Sequence, residues 1–255
     1  MFLGVGLIST AAHNRLIRSG HLSQRRFSVN AAWVFGDQSS SLICQATLPL
    51  EAERPMIRRN RTRRKNVAVK TLPRSLASTW GTTAAERTMS FPCDHSPTPY
   101  DAAYFRAVSV RAPAPIVFRW LCQLRVAPYS YDWIDNGGNK SPRELIPGLD
   151  QLQVGQRVMT IFQVVDFEPN RHLTLRLRSA RAKALFGEIA GSYIILPQPE
   201  QWCRLVVKLL VRYLPGYTGV VMRRWLPWGD LFMMRKQLLT LKHLAERQAK
   251  VASQE

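Results

Sequence analysis

Residues 202–213, WCRLVVKLLVRY, alternate between apolar and basic side chains. The two alternating sets are Cys203, Leu205, Val207, Leu209 and Val211 on one side and Arg204, Lys208 and Arg212 on the other. Successive side chains of a β-strand point to opposite faces of its sheet, so this period predicts a strand with one apolar and one basic face. We expect the basic face to point to solvent, because the opposite register would bury unpaired charges in the core.

Three preceding segments, residues 156–168, 171–178 and 188–196, show the same period of two and are separated by turn residues. This arrangement predicts consecutive antiparallel strands, with apolar side chains such as Leu173 and Leu175 on one face. On the solvent face we expect five basic side chains that would attract an anionic membrane weakly: Arg176, Arg178, Arg204, Lys208 and Arg212.

Helical periods flank the strands. Residues 104–111 form a further predicted strand, and after a proline-rich break residues 116–124 show a helical apolar stripe. Residues 229–250 predict a long terminal helix whose apolar positions are Leu231, Met234, Leu238, Leu241 and Ala245. The fold class is therefore α+β, with a curved antiparallel sheet gripping a long C-terminal helix and an apolar cavity between them.

Several segments resemble bacterial proteins of the START-like superfamily, also labelled SRPBCC or polyketide cyclase/dehydrase-like. The resemblance covers residues from about 100 to 250 and is carried by VRAPAPIVFRWL (110–121), APYSYDWIDN (127–136), SPRELIPGLDQLQVGQRVM (141–159) and FMMRKQLLTLKHLAE (232–246). It implies a helix-grip fold with a deep apolar cavity for lipids, sterols, polyketides or other hydrophobic ligands. It implies no invariant catalytic set.

The N-terminal part of the chain has a different character. Residues 1–88 carry 14 basic and 4 acidic side chains, including the run from Arg58 to Lys65, and show no sustained period. We therefore divide the chain into residues 1–99, a basic and mostly disordered extension or a mis-assigned start with Met89 as the true one, and residues 100–252, a START-like hydrophobic ligand-binding domain. The basic run fits a solvated tail better than a specific nucleic-acid site.

The residue inventory restricts the chemistry. Four cysteines, Cys44, Cys93, Cys122 and Cys203, form no C-x-x-C pair, which favours free thiols and a cytoplasmic location. The five histidines form no metal-binding spacing, and no Gly-rich phosphate loop or G-x-S-x-G motif is present. We expect no metal, no cofactor, no transmembrane segment and no specific nucleic acid as partner.

The aromatic loop that follows the first predicted helix supplies most of the candidate site. Aromatic and carboxylate side chains are unusually dense there for a plain connector. The ligand-binding candidates are Tyr129, Tyr131, Trp133, Asn136, Arg143, Val207, Leu209 and Met234. We expect residues 129–136 to line the cavity mouth and the terminal helix to form its long wall.

The same loop residues also fit a structural role. Asp132 and Asp135 would then cap turns, Arg143 would pair with one of them, and the tyrosines would pack with Trp133. Farther along, Trp225 and Trp228 fit anchors of a packed helix, or a membrane-interface cluster beside Arg223-Arg224.

Two functions fit these residues and the predicted cavity. The first is binding or carriage of one hydrophobic, lipid- or polyketide-like molecule. The alternative is a cyclase, aromatase or dehydratase in which Tyr131 acts with Asp132 or Asp135 as an acid/base pair at the pocket mouth.

Overall fold

The structure is a computed structural model that describes residues 75–254. Its strands are β1 (Ala102–Val110), β2 (Arg157–Val158), β3 (Phe162–Glu168), β4 (His172–Leu177), β5 (Glu188–Gln198) and β6 (Trp202–Arg212). Its helices are α1 (Leu76–Thr79), α2 (Ala84–Thr88), α3 (Ala114–Cys122), α4 (Asp132–Asp135), α5 (Ala180–Phe186) and α6 (Gly216–Ala252).

The strands form one six-stranded antiparallel sheet in the order β1-β6-β5-β4-β3-β2. Helix α6 lies on one face of this sheet, where Leu238, Leu241 and Leu244 are buried against Leu205 and other apolar strand residues. The predicted α+β class and helix-grip arrangement are thus confirmed. The period-two segments of the sequence correspond to β3 through β6.

Helix α6 is longer than expected. It begins at Gly216, whereas the sequence period predicts a start at residue 229. Pro227 lies inside the helix and removes one backbone donor, which normally signals a helix end. The first half of the helix also carries apolar residues on its exposed side, and these hide the amphipathic period.

Part of residues 75–99, which we call the covering segment, packs on the second face of the sheet. Phe91 and Cys93 are buried there, and the backbone N–H of Cys93 donates to the Ser192 hydroxyl at 2.9 Å. Part of the segment that we expected to form an extension therefore packs on the sheet. The rest of that segment, residues 1–74 with the Arg58–Lys65 run and Cys44, lies outside the described residues.

This cover changes the expected environment of the basic face. Arg204 pairs with Glu86 at 2.6 Å, and Lys208 pairs with Asp94 at 2.6 Å while lying over the ring of Phe91. The expectation that Arg204 and Lys208 point to open solvent is therefore wrong. Their side chains point away from α6 as predicted, but acids of the covering segment neutralise them.

The cysteines and the helices of the described residues bear on two expectations from the sequence. Cys93, Cys122 and Cys203 are free and buried, and burial raises the pKa of the Cys93 thiol to about 11. Within residues 75–254, no helix has the length and apolar character needed to cross a membrane.

Gly81 docks the covering segment on the edge of β1. Its φ of +75° is unfavourable for other residues, and a Cβ atom here would overlap the carbonyl oxygen of Ala107. The neighbouring carbonyl of Trp80 accepts a hydrogen bond from the Ala107 N–H at 3.2 Å. The edge strand is thus partly protected from further pairing.

We predict that Gly81→Ala lowers the free energy of unfolding by about 3 kcal/mol or more, because it combines an unfavourable φ with a steric overlap. The control is Gly138→Ala, since Gly138 has a similar φ of +83° and open space around it. Gly138→Ala should lower the free energy of unfolding by about 1 kcal/mol. Equal losses in urea unfolding would show that the contact with β1 contributes nothing.

The Glu86–Arg204 pair predicts a pH dependence of stability. Burial alone would raise the pKa of Glu86, but hydrogen bonds from Arg204 and Thr83 outweigh it and place the pKa below its ordinary value of 4.5. The contribution is therefore complete above pH 4.5 and is lost as the pH falls through the lowered pKa of the folded state.

Glu86→Gln should accordingly cost about 1–3 kcal/mol at neutral pH, and the difference from wild type should shrink on acidification. Thermal unfolding followed by circular dichroism between pH 7 and about pH 3 measures this. Glu144→Gln, at an exposed carboxylate, is the control. A wild-type advantage that grows toward low pH would contradict a lowered pKa of Glu86.

Candidate functional site

A buried ion pair lies between the sheet and α6. Arg106 of β1 is fully buried, and its Nη2 donates to the carboxylate of Asp230 on α6 at 2.7 Å. The same guanidinium donates to the carbonyl oxygens of Ala77, Phe105 and Pro227 at 2.7, 2.8 and 3.3 Å. Burial raises the pKa of the Asp230 carboxyl, and the Arg106 charge opposes that rise.

Two tyrosines continue this polar layer toward the start of α6. The hydroxyls of Tyr104 and Tyr213 share a hydrogen bond of 2.6 Å, and burial raises the pKa of both. The Arg106 guanidinium lies 5.7 Å from the centroid of the Tyr104 ring. Both hydroxyls are therefore neutral at physiological pH and can act as donors or acceptors.

A second tyrosine contact lies on the other side of the ion pair. The Tyr193 hydroxyl donates to Gln237 Oε1 at 2.7 Å, and Gln237 Nε2 donates to the Pro128 carbonyl at 2.7 Å. Burial raises the pKa of Tyr193, and the nearby Asp230 charge adds to that effect. We call the six side chains of this layer the polar belt: Tyr104, Arg106, Tyr193, Tyr213, Asp230 and Gln237.

Strand register explains how the polar belt is assembled. Arg106 pairs with Val207 and Val207 with Tyr193, so these side chains form one row across β1, β6 and β5 on the α6 side. The adjacent row on the same face contains Tyr104, Leu209 and Gly191. Sequence reasoning missed the belt, although Arg106 was visible as a charge on the apolar face of a predicted strand.

A cluster of incompletely buried apolar side chains adjoins the polar belt. Leu209 lies on the helix side of a central strand and is only half-buried, whereas Val207 beside it is fully buried. Gly191 contributes no side chain at the neighbouring position. Further half-buried apolar side chains surround this region: Ile161, Phe162, Phe186, Met222 and Leu226. Solvent therefore reaches part of Leu209 beneath the first half of α6.

Two buried polar atoms have no hydrogen-bond partner within residues 75–254. They are Nε of Arg106 and the hydroxyl oxygen of Tyr129. An unpartnered buried donor costs about 1–3 kcal/mol, so a ligand oxygen that accepted from it would gain affinity. Burial also raises the pKa of Tyr129 to about 12, which keeps its hydroxyl protonated.

The predicted aromatic loop divides into core and surface residues. Tyr129 is buried in the main core, where its ring meets Trp120 edge-on at 6.1 Å. Tyr131 stacks on Phe232 of α6 at 4.2 Å, and Trp133 is 67% exposed. Val207 and Met234 are buried in the same core as Tyr129.

The polar candidates of the loop serve its own turns. Both carboxylate oxygens of Asp132 accept from Ser141, at 2.9 Å from the backbone N–H and 2.5 Å from the hydroxyl. Asp135 accepts from the Ser130 hydroxyl, and the side chain of Asn136 donates to the Asn139 carbonyl at 2.6 Å. These contacts match the structural alternative for the two aspartates. The expectation that the tyrosines pack with Trp133 is wrong, because their rings pack on Trp120 and Phe232.

Arg143 is exposed and forms no ion pair with a carboxylate in the described part of the chain. Its backbone carbonyl accepts a hydrogen bond from the Arg247 guanidinium. The expected pairing of Arg143 with Asp132 or Asp135 is therefore wrong. The loop meets the polar belt at Pro128, whose carbonyl accepts the hydrogen bond from Gln237.

Two surface clefts lie elsewhere. One, of about 600 Å³, opens on the face away from α6 and is lined partly by Glu86, Leu196, Trp202 and Arg204. The other, of about 210 Å³, lies beside Arg119 and Gln123. Among residues 75–254 no group of three or more His, Cys, Asp and Glu side chains is arranged to hold a metal ion.

Comparison with known proteins gives partial structural similarities. No protein-family model matches the chain, and no curated protein matches it. A Zhui aromatase/cyclase from a Streptomyces species is 17% identical and overlays with a TM-score of 0.40, over 59% of this chain and 96% of its own. A hypothetical protein from Helicobacter pylori is 14% identical, with a TM-score of 0.41 over 62% and 95% of the two chains.

The aromatase/cyclase activity belongs to the first of those proteins. The fold of the present chain is established by its own strand order and by the position of α6. That arrangement is the helix grip that the START-like resemblance of the sequence implies.

We predict that Asp230→Asn lowers the free energy of unfolding by about 3–5 kcal/mol, because it leaves the Arg106 charge buried without a counter-charge. The double variant Arg106→Met/Asp230→Asn should lose less than the sum of the two single variants. Urea unfolding measures the stability of wild type, the two single variants and the double variant. Asp150→Asn, at an exposed carboxylate, is the control. Additive losses would show that the two side chains are not coupled.

Proposed function

We propose that the chain binds one hydrophobic small molecule, lipid- or polyketide-like, beneath the first half of α6. The observation that carries the proposal is the incomplete burial of Leu209 on β6, an interior strand of the sheet. A tightly packed helix would cover this position completely. The side chains around it are apolar and come from the sheet, from α5 and from α6.

The polar belt supplies the fixed polar groups that such a site needs. Ligand pockets are mostly apolar, with a few placed donors that orient the ligand. Here the candidates are the Nε–H of Arg106 and the hydroxyls of Tyr104 and Tyr213. The preferred ligand is accordingly hydrophobic and carries at least one oxygen acceptor, such as a carbonyl.

The loop candidates take a secondary part in this proposal. Met234 contacts the Tyr193 hydroxyl through its sulfur at 3.9 Å, and Tyr131 packs on α6 through Phe232. Tyr129, Trp133, Asn136 and Arg143 remain candidates for shaping the loop beside the site. Val207 forms the floor next to Leu209.

We predict that Leu209→Trp weakens binding of the neutral dye Nile red at least tenfold, because the indole fills the space beneath α6. Leu196→Trp is the matched control, since Leu196 lies on the opposite face and lines the outer cleft. It should leave the affinity within a factor of two. Fluorescence titration measures binding, and thermal unfolding verifies that both variants fold.

The reverse result, with Leu196→Trp alone abolishing dye binding, would place the ligand in the outer cleft. Native mass spectrometry of the full chain purified from its own host then identifies the chemical class of a retained molecule. Recovery of a strictly polar ligand would overturn the proposed class.

Acid–base chemistry on the same bound molecule is the second candidate function. The observation in its favour is the raised pKa of Asp230, which lies close to the buried Tyr193 hydroxyl. Mass spectrometry separates the two functions. If the protein only binds its ligand, wild type and Tyr193→Phe retain the same molecule. If it is an enzyme, Tyr193→Phe retains a precursor that differs from the wild-type ligand by water or hydrogen.

A further inference from the structure

The first half of α6 exposes a row of large apolar side chains. Tyr217, Val221, Trp225, Trp228 and Phe232 recur at steps of three or four residues and so share one helix face. Trp225, Trp228 and Phe232 are 60, 48 and 53% exposed, and Tyr217 is 81% exposed. We call these five side chains the aromatic stripe.

The aromatic stripe is separate from the face of α6 that packs on the sheet. Gly219, Pro227, Leu231 and Met234 occupy the buried face, so the stripe residues are not needed to cover the sheet. The stripe continues onto α4, because Tyr131 stacks on Phe232 and Trp133 beside it is exposed. Contiguous exposed apolar surface of this kind marks an interaction site.

Basic side chains border the aromatic stripe. Arg224, Arg235 and Lys236 are exposed on this side of α6, while Asp230, the sole acid between residues 216 and 240, points inward to Arg106. Asp135 on α4 is the exposed acid of the neighbouring loop. Tryptophan and tyrosine beside arginine suit a membrane interface, where the rings enter the headgroup region and the cations meet anionic lipids.

We propose that α6 docks the protein on an anionic membrane through the aromatic stripe, with the helix lying in the plane of the interface. The charge of the chain favours this partner over two others. Residues 1–74 carry 13 basic and 3 acidic side chains, so charge disfavours their covering a basic stripe. A second copy docked stripe to stripe would likewise bring the three bordering cations of each helix together.

Co-sedimentation of the full chain with vesicles tests the proposal. The probes are vesicles of phosphatidylcholine alone and vesicles that also contain phosphatidylglycerol. We expect binding to the anionic vesicles, at least tenfold weaker binding for Trp225→Ser/Trp228→Ser, and reduced binding at high salt. The double variant keeps every charge of the chain. A loss of vesicle binding in this variant is therefore due to the missing aromatic contact and not to the basic residues elsewhere.

The matched control is Val154→Ser/Leu185→Ser, which removes two exposed apolar side chains distant in sequence from the stripe. It should bind like wild type, and thermal unfolding should show all proteins folded. Two outcomes would overturn the proposal: no sedimentation with either vesicle, or unchanged sedimentation of Trp225→Ser/Trp228→Ser. If sedimentation is absent and analytical ultracentrifugation shows a dimer that this variant abolishes, the partner of the stripe is a second copy.

Discussion

The buried guanidinium of Arg106 is the constraint around which the described fold is arranged. One side chain on β1 contacts two helices: the carbonyl of Ala77 on α1, and Pro227 and Asp230 on α6. A charge at this depth is tolerated only when counter-charge and acceptors surround it. The covering segment, the sheet and the long helix therefore take mutually dependent positions.

This dependence explains an otherwise unfavourable sequence in α6. Pro227 and Gly229 are poor helix residues, and Asp230 is an acid on a face that packs inward. The carbonyl of Pro227 and the carboxylate of Asp230 both accept from Arg106, so the local cost of this turn is offset by satisfying the buried charge. Leu226 in the same turn packs in the cluster that contains Leu209, so these polar groups adjoin the proposed binding site.

The sequence predicted those parts of the fold that follow from the regular spacing of apolar residues. Alternation in β4 and β6 located the strands and separated their two faces, because side-chain direction is a local property of the backbone. It did not show that Glu86 and Asp94 would cover Arg204 and Lys208, since the partner of a face is a non-local property. The contact that holds Asp132 could not be predicted for a related reason: its partner Ser141 lies nine residues along the chain, and composition does not reveal such a contact.

The two faces of α6 obey different requirements. Leu238, Leu241 and Leu244 are buried and stabilise the domain by packing, so their identities follow from the fold. Trp225 and Trp228 lie largely in solvent, and replacing an exposed side chain seldom changes stability by more than about 0.5 kcal/mol. The packed-anchor interpretation of these tryptophans would require buried rings, which the structure does not place there. Folding thus accounts for the inward face of α6, and the outward face near Pro227 calls for a partner outside the fold.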